Sequence, residues 1–179
     1  MTTEKLGEGV SYRLEGIAFG LADGLIMSLG LIIGIAEATS DTRLVIVAGI
    51  IGGFANAFGN SIGFFMSQSA ERGLQIYETT ERGVSTRVHP KKEVYVNSVF
   101  SFISTIAVSI VLLFPFILFN MTTASIIAFM LGVIVAFVLG NYVGKISREN
   151  PYICGLKYAV LAVLGAIIAH LIADLLTVF

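Results

Sequence analysis

Charge is what this chain has least of. Asp, Glu, Lys and Arg make up 13% of its 179 residues, and 56% are hydrophobic. Soluble domains carry about 25% charged residues, so the composition excludes an ordinary soluble fold and points to an integral membrane protein. Cysteine is nearly absent. Cys154 stands alone, which excludes an intrachain disulfide and any cysteine-cluster metal centre. No polar stretch is long enough to build a soluble core. The first fifteen residues mix Glu4, Lys5, Glu8, Arg13 and Glu15. They have no basic region leading into a short apolar core and a cleavage site, so the first apolar segment is expected to be retained. Phosphate-loop, H-E-x-x-H and serine-elbow motifs are missing, and no nucleophile–base set converges. An enzyme is therefore not expected.

What is present is a series of charge-free runs. They predict an all-α membrane protein with five spans, at about 14–36, 44–70, 94–119, 123–145 and 151–178. The charge-free stretch 94–144 is too long for one helix, and Asn120-Met121-Thr122-Thr123 divides it. Asn150-Pro151 reads as an N-cap followed by a first-turn proline. Strict apolar/polar alternation is absent, which argues against a β-barrel. The sizeable extramembrane piece is 71–93, expected as a helical extension of span two ending near Gly83, then a basic linker through Pro90. Asn120-Met121-Thr122 matches a glycosylation sequon but lies against the membrane. Of the eleven Lys and Arg residues, ten fall on one side of this topology and only Arg43 on the other. That asymmetry predicts a cytoplasmic N-terminus and a C-terminus outside or in a lumen.

Small residues recur at spacing four, as Gly16, Gly20, Gly24 and Ser28 in span one and Gly49, Gly53, Ala57 and Ser61 in span two. Such faces let helix backbones approach closely. They predict tight packing of spans one and two, a homodimer across them, or ordinary packing within the chain. Gly140-Asn141-Tyr142-Val143-Gly144 echoes Gly59-Asn60-Ser61-Ile62-Gly63, a hint of a parallel two-helix repeat.

The candidate chemistry starts at Asp23, the one acid between Gly16 and Ala36. A carboxylate at membrane depth costs a few kcal/mol or more, so it reads as a substrate, ion or proton site. A hydrogen-bonded structural Asp is the alternative. Met27 shares its helix face, pairing a hard oxygen with a soft thioether that a first-row divalent metal can use. Asn56 and Asn60 share a face of span two and supply amide oxygens or interhelical hydrogen bonds. His170 and Asp174 share a face of span five, where a proton relay or exit path and a structural pair are both open. Counted at ~1.5 Å per residue from opposite ends, Asp23 and His170 each come out roughly 13 Å deep, near the midplane. Glu78 and Glu81, with Glu71 two turns earlier, are candidates for capturing cations, or simply a solvated face.

Gly20-Leu21-Ala22-Asp23-Gly24-Leu25, running on to Gly34-Ile35-Ala36-Glu37-Ala38, resembles the first span of the vacuolar iron transporter family. The stretch from Val45 to Glu71 is similar to that family's second span. The resemblance covers about residues 13–75, and the later spans match in character only. It implies a homodimer, through spans one and two, that moves Fe²⁺ and often Mn²⁺ out of the cytosol in exchange for protons, with no tightly bound cofactor. Asp23 would line the pathway, with Met27 and Asn60 as further metal-site candidates. Two departures stand out. The Glu and Met usual in the family's second span fall on Gly52 and Asn60, and the long cytoplasmic metal-binding domain shrinks to 71–93. The compact chain suggests a prokaryotic cell membrane. The competing readings are a transporter of another solute and a non-transporting scaffold or accessory subunit.

Overall fold

The computed structural model describes residues 3–39 and 41–177, all in helices and short connections. The helices are α1 (Thr3–Ala38), α2 (Thr42–Thr80), α3 (Lys91–Leu113), α4 (Pro115–Leu118), α5 (Met121–Ile146) and α6 (Pro151–Thr177). Five segments are long and apolar enough to cross a membrane: Leu14–Ala38, Thr42–Thr80, Lys91–Leu118, Met121–Ile146 and Pro151–Leu176. With no water in the bilayer core, helices satisfy their own backbone groups, which is why these runs fold as they do.

Side chains mark the helix ends. The Asp41 carboxylate accepts from the Arg43 N–H at 2.8 Å and starts α2. Asn120 Oδ1 accepts from the Thr123 N–H at 3.0 Å and starts α5. Asn150 Oδ1 accepts from the N–H groups of Tyr152 and Ile153 at 3.0 and 3.3 Å, and Pro151 opens α6 behind it. Pro115 has no N–H to donate, and the chain breaks from α3 into the single turn of α4 there. α2 has 39 residues. At ~1.5 Å per residue it is nearly twice as long as a ~30 Å hydrocarbon core, so its C-terminal part stands in water. It ends at Thr80, short of Gly83, whose φ of 66° reverses the chain.

α1 is the central helix, packed on α3, α6, α2 and α5. Its small-residue face is filled by α3 rather than by α2. A methyl group at Gly16 would fall on the Asn97 carbonyl oxygen, and one at Gly20 on the Ser101 carbonyl oxygen and Ser104 Oγ. One at Gly24 would sit 2.9 Å from Thr105 Cα. The two helices run parallel, in step every four residues. α2 packs on α3 beside α1, with Gly53 against Ser109 and Gly49 against Leu113. The echoing pentads have different fates. Gly140 and Gly144 seat the start of α6, with Gly155 Cα 2.8 Å from a methyl at Gly140 and Cys154 Cβ 2.9 Å from one at Gly144. Gly59 and Gly63 have nothing within 4 Å.

Because the Ser101 backbone, as well as Ser104 Oγ, lies against Gly20, Gly20→Ala should force α1 and α3 apart. We expect a loss of about 1–3 kcal/mol, read as a lower far-UV circular dichroism melting midpoint in detergent. Gly73→Ala, at a position with nothing within 4 Å, should leave the midpoint unchanged or slightly raised. Equal midpoints for Gly20→Ala and wild type would show that the α1–α3 contact is not limiting.

Candidate functional site

α3 carries a polar stripe through the middle of the bundle. Asn97, Ser101, Thr105 and Ser109 lie four apart and are buried, and they face Gly16, Gly20, Gly24 and Ser28 in turn. Buried hydroxyls need partners. Ser109 Oγ donates to the Thr105 carbonyl at 2.8 Å and lies 2.6 Å from Ser28 Oγ. Thr105 joins three helices. Its hydroxyl donates to the carbonyls of Gly20 at 3.0 Å and Ser101 at 2.9 Å, and Asn60 Nδ2 donates to it at 3.1 Å. The Ser61 hydroxyl adds a further α2–α3 bond to the Ser98 carbonyl at 3.0 Å.

Thr105 also settles which way the Asn60 amide points. Carbonyl oxygens only accept, so the single Thr105 proton is committed to Gly20 and Ser101, and its lone pair must receive an N–H. The NH₂ side of Asn60 therefore faces Thr105. Its Oδ1 is turned away and makes no hydrogen bond among the described residues.

Through Thr105 and the Gly20 carbonyl, Asn60 sits where α1, α2 and α3 meet, and the α1–α2 interface contains the other sequence candidates. The two helices are antiparallel and pinned at both ends of this region. The Phe19 and Phe64 rings are 5.2 Å apart, and Met27 Cε lies 3.8 Å from where a Gly52 methyl would be. Between these pins, Asp23 stands one turn beyond Gly20 and Asn56 one turn beyond Asn60, at the same level. Asp23 is half-buried and makes no hydrogen bond or ion pair among the described residues. Asn56 is half-buried too, and its Nδ2 is buried without an acceptor. Met27 lines an apolar groove of about 720 Å³ that opens away from Asp23, between α1, α2 and α6. Leu31 and the Met27 methyl fill the space at Gly52, where the family resemblance places an acid. Asp23, Met27, Asn56 and Asn60 thus lie along one interface as one carboxylate, two amides and a thioether. Among the described residues no three His, Cys, Asp or Glu side chains gather into a metal centre.

The remaining candidates lie elsewhere. His170 is not level with Asp23. Its Nδ1 lies 3.7 Å from Glu37 Oε1, in the last turn of α1, and its Nε2 3.7 Å from Asp174 Oδ2. Glu37 is ~21 Å along α1 from Asp23 at the helical rise, so His170 and Asp174 form an outer cluster with Glu37. The depth counted from the C-terminal end misplaced them because the α1–α6 register, not helix length, sets their level: Ala169 Cβ lies 3.7 Å from where a Gly30 methyl would be. Glu78 and Glu81 sit at the far end of α2. Glu78 accepts from the Thr86 hydroxyl at 3.4 Å and so holds the linker, while Glu81 is exposed at the helix C-cap.

A second polar cluster closes the basic end of the bundle. His89 Nδ1 lies 3.2 Å from Glu93, the His89 N–H donates to Gln75 Oε1 at 2.9 Å, and Arg72 Nε donates to the His89 carbonyl at 2.9 Å. Glu15 on α1 lies within electrostatic reach of His89, Glu71 and Glu93. The α3 stripe had a readable signal, four polar residues at spacing four in a charge-free run. The His89 cluster had none, since its members are scattered along the sequence.

Five apolar helices around a polar interface make this a multi-pass membrane protein. The chain belongs to the VIT family, the vacuolar iron transporters, whose family model matches residues 14–97. That segment covers α1, α2 and the first turns of α3, up to the start of the polar stripe. An uncharacterized protein of the archaeon Methanocaldococcus jannaschii is 32% identical over 165 residues, spanning 87% of this chain and 86% of that protein.

Thr105→Val removes the contacts to Gly20 and Asn60 while keeping the side-chain shape. Interhelical hydrogen bonds in membranes average about 0.6 kcal/mol, so a loss of about 1 kcal/mol should appear in the melting midpoint, and Thr105→Ser should recover most of it. No difference between the two variants would remove Thr105 from the junction.

Proposed function

We propose that the protein exports a divalent metal cation, Fe²⁺ or Mn²⁺, from the cytosol, probing its charge against Asp23 and exchanging it for protons. The supporting observation is the α1–α2 register, which puts a carboxylate with no hydrogen bond or ion pair among the described residues level with Asn56, one turn from Asn60. A hard carboxylate, an amide oxygen and the Met27 thioether form a mixed donor set of the kind first-row divalent ions accept. In this reading the N-terminus is cytoplasmic, as the ten-to-one distribution of Lys and Arg favours, and the membrane is a prokaryotic cell membrane. One carboxylate leaves a divalent ion half neutralised, which favours a homodimer that brings a second Asp23 to the path. The α2 face at Gly59 and Gly63, with nothing within 4 Å, has room for a partner helix. Glu78 and Glu81 would meet the ion at the cytoplasmic end, and His170, Asp174 and Glu37 would take protons at the other.

The test is metal flux into reconstituted vesicles, with a pH dye reporting proton counterflow. Wild type should carry Mn²⁺ or Fe²⁺, faster toward an acidic compartment, and Asp23→Asn should fall to the level of empty vesicles. Flux unchanged in Asp23→Asn would overturn this pathway. Absence of metal flux in a folded wild type would favour a scaffold or another solute.

A further inference from the structure

Apart from the candidate pathway, α2 and α3 enclose a small pocket of about 180 Å³ at the basic end of the bundle, lined by Phe65, Ser69, Arg72, Lys91, Val94 and Tyr95. On α2 the lining residues are spaced four and three apart, and on α3 three and one, so each set lies on one helix face. The helices are antiparallel, which sorts the lining by depth. Phe65 and Tyr95 lie toward the membrane interior, with ring centroids 5.1 Å apart, and Arg72 and Lys91 lie toward water. Val94 is buried between them.

Neither Arg72 nor Lys91 forms an ion pair with a described carboxylate. Glu71, next to Arg72, accepts from Gln68 and Gln75, and Glu93 is taken by Arg87 and His89. Arg72 is held in place through Nε on the His89 carbonyl, which leaves the rest of its guanidinium available. Lys91 opens α3, whose N-terminus no side chain caps, so the helix dipole adds positive potential.

We infer that this pocket binds the phosphate group of an anionic phospholipid. The gradient from two cations without an ion pair among the described residues and the Ser69 hydroxyl down to the half-buried Phe65 and exposed Tyr95 rings matches that of a lipid, with phosphate at Arg72 and Lys91 and glycerol and acyl chain along Phe65 and Tyr95. Free phosphate would use only the upper half. Tyrosine at the headgroup level and cations facing an anionic leaflet are the expected interfacial arrangement, but ordinary snorkelling side chains do not enclose a pocket between two helices.

The test uses the full chain, delipidated in detergent and titrated separately with phosphatidylglycerol, phosphatidylcholine and inorganic phosphate, read by melting midpoint and by native mass spectrometry. Phosphatidylglycerol should raise the midpoint and leave a retained adduct. Phosphatidylcholine and inorganic phosphate should do neither. Lys91→Gln should weaken phosphatidylglycerol retention about five-fold, and Ser69→Leu, which fills the pocket and keeps both charges, should abolish it. Lys145→Gln removes a cation at the same end but outside the pocket and should leave retention intact. An equal shift with inorganic phosphate would make a free anion the ligand and overturn the lipid assignment. Retention unaffected by Ser69→Leu, or lost equally in Lys145→Gln, would reduce the effect to general surface charge and overturn the pocket itself.

Discussion

The bundle depends on how closely α1 and α3 approach. Lipid tails are as apolar as the side chains they would compete with, so helices in a membrane are held by packing and hydrogen bonds rather than by a hydrophobic drive. Gly16, Gly20 and Gly24 remove the side chains that would keep α1 and α3 apart. The hydroxyls and amide opposite them then reach across, and Thr105 touches the α1 backbone directly. Any larger residue at these glycines meets backbone, which cannot move without moving the helix.

This contact also decides what α1 has left to offer. With one face used by α3 and another by α6, the side that carries Asp23 and Met27 faces α2. Thr105 extends the effect into that interface by holding Asn60 with its carbonyl oxygen turned away. The structural stripe and the candidate pathway are therefore joined by the Asn60–Thr105 hydrogen bond and share no residue. Among the described residues, three buried polar atoms, Asn56 Nδ2, Asn97 Oδ1 and Ser101 Oγ, have no hydrogen-bond partner. In a low-dielectric interior such groups are costly.

Much of this was readable along the chain. Runs free of charge announce helices because each helix satisfies its own backbone in lipid. Asn120 and Asn150 announce caps because a short amide reaches the first free N–H groups of a helix. Asp23, Met27, Asn56 and Asn60 were visible as residues four apart on their helices. Their mutual level was not, because it depends on the register at which α2 returns along α1. His170 failed for the same reason: a depth counted from one helix end takes no account of the neighbour, Glu37, that fixes it. The small face of α1 was legible as a contact surface, but nothing in its spacing names α3 as the partner.

The sequence by itself determined the membrane class, the helical periods, the family and the identity of the one acid in the first span, because these follow from composition and local spacing. Tertiary structure alone decided which helix fills the glycine stripe, which way the Asn60 amide turns, and that Arg72 and Lys91 share a pocket. Those are matters of register between helices distant in sequence. Register is set by the fit of many side chains at once, and no single segment contains that information.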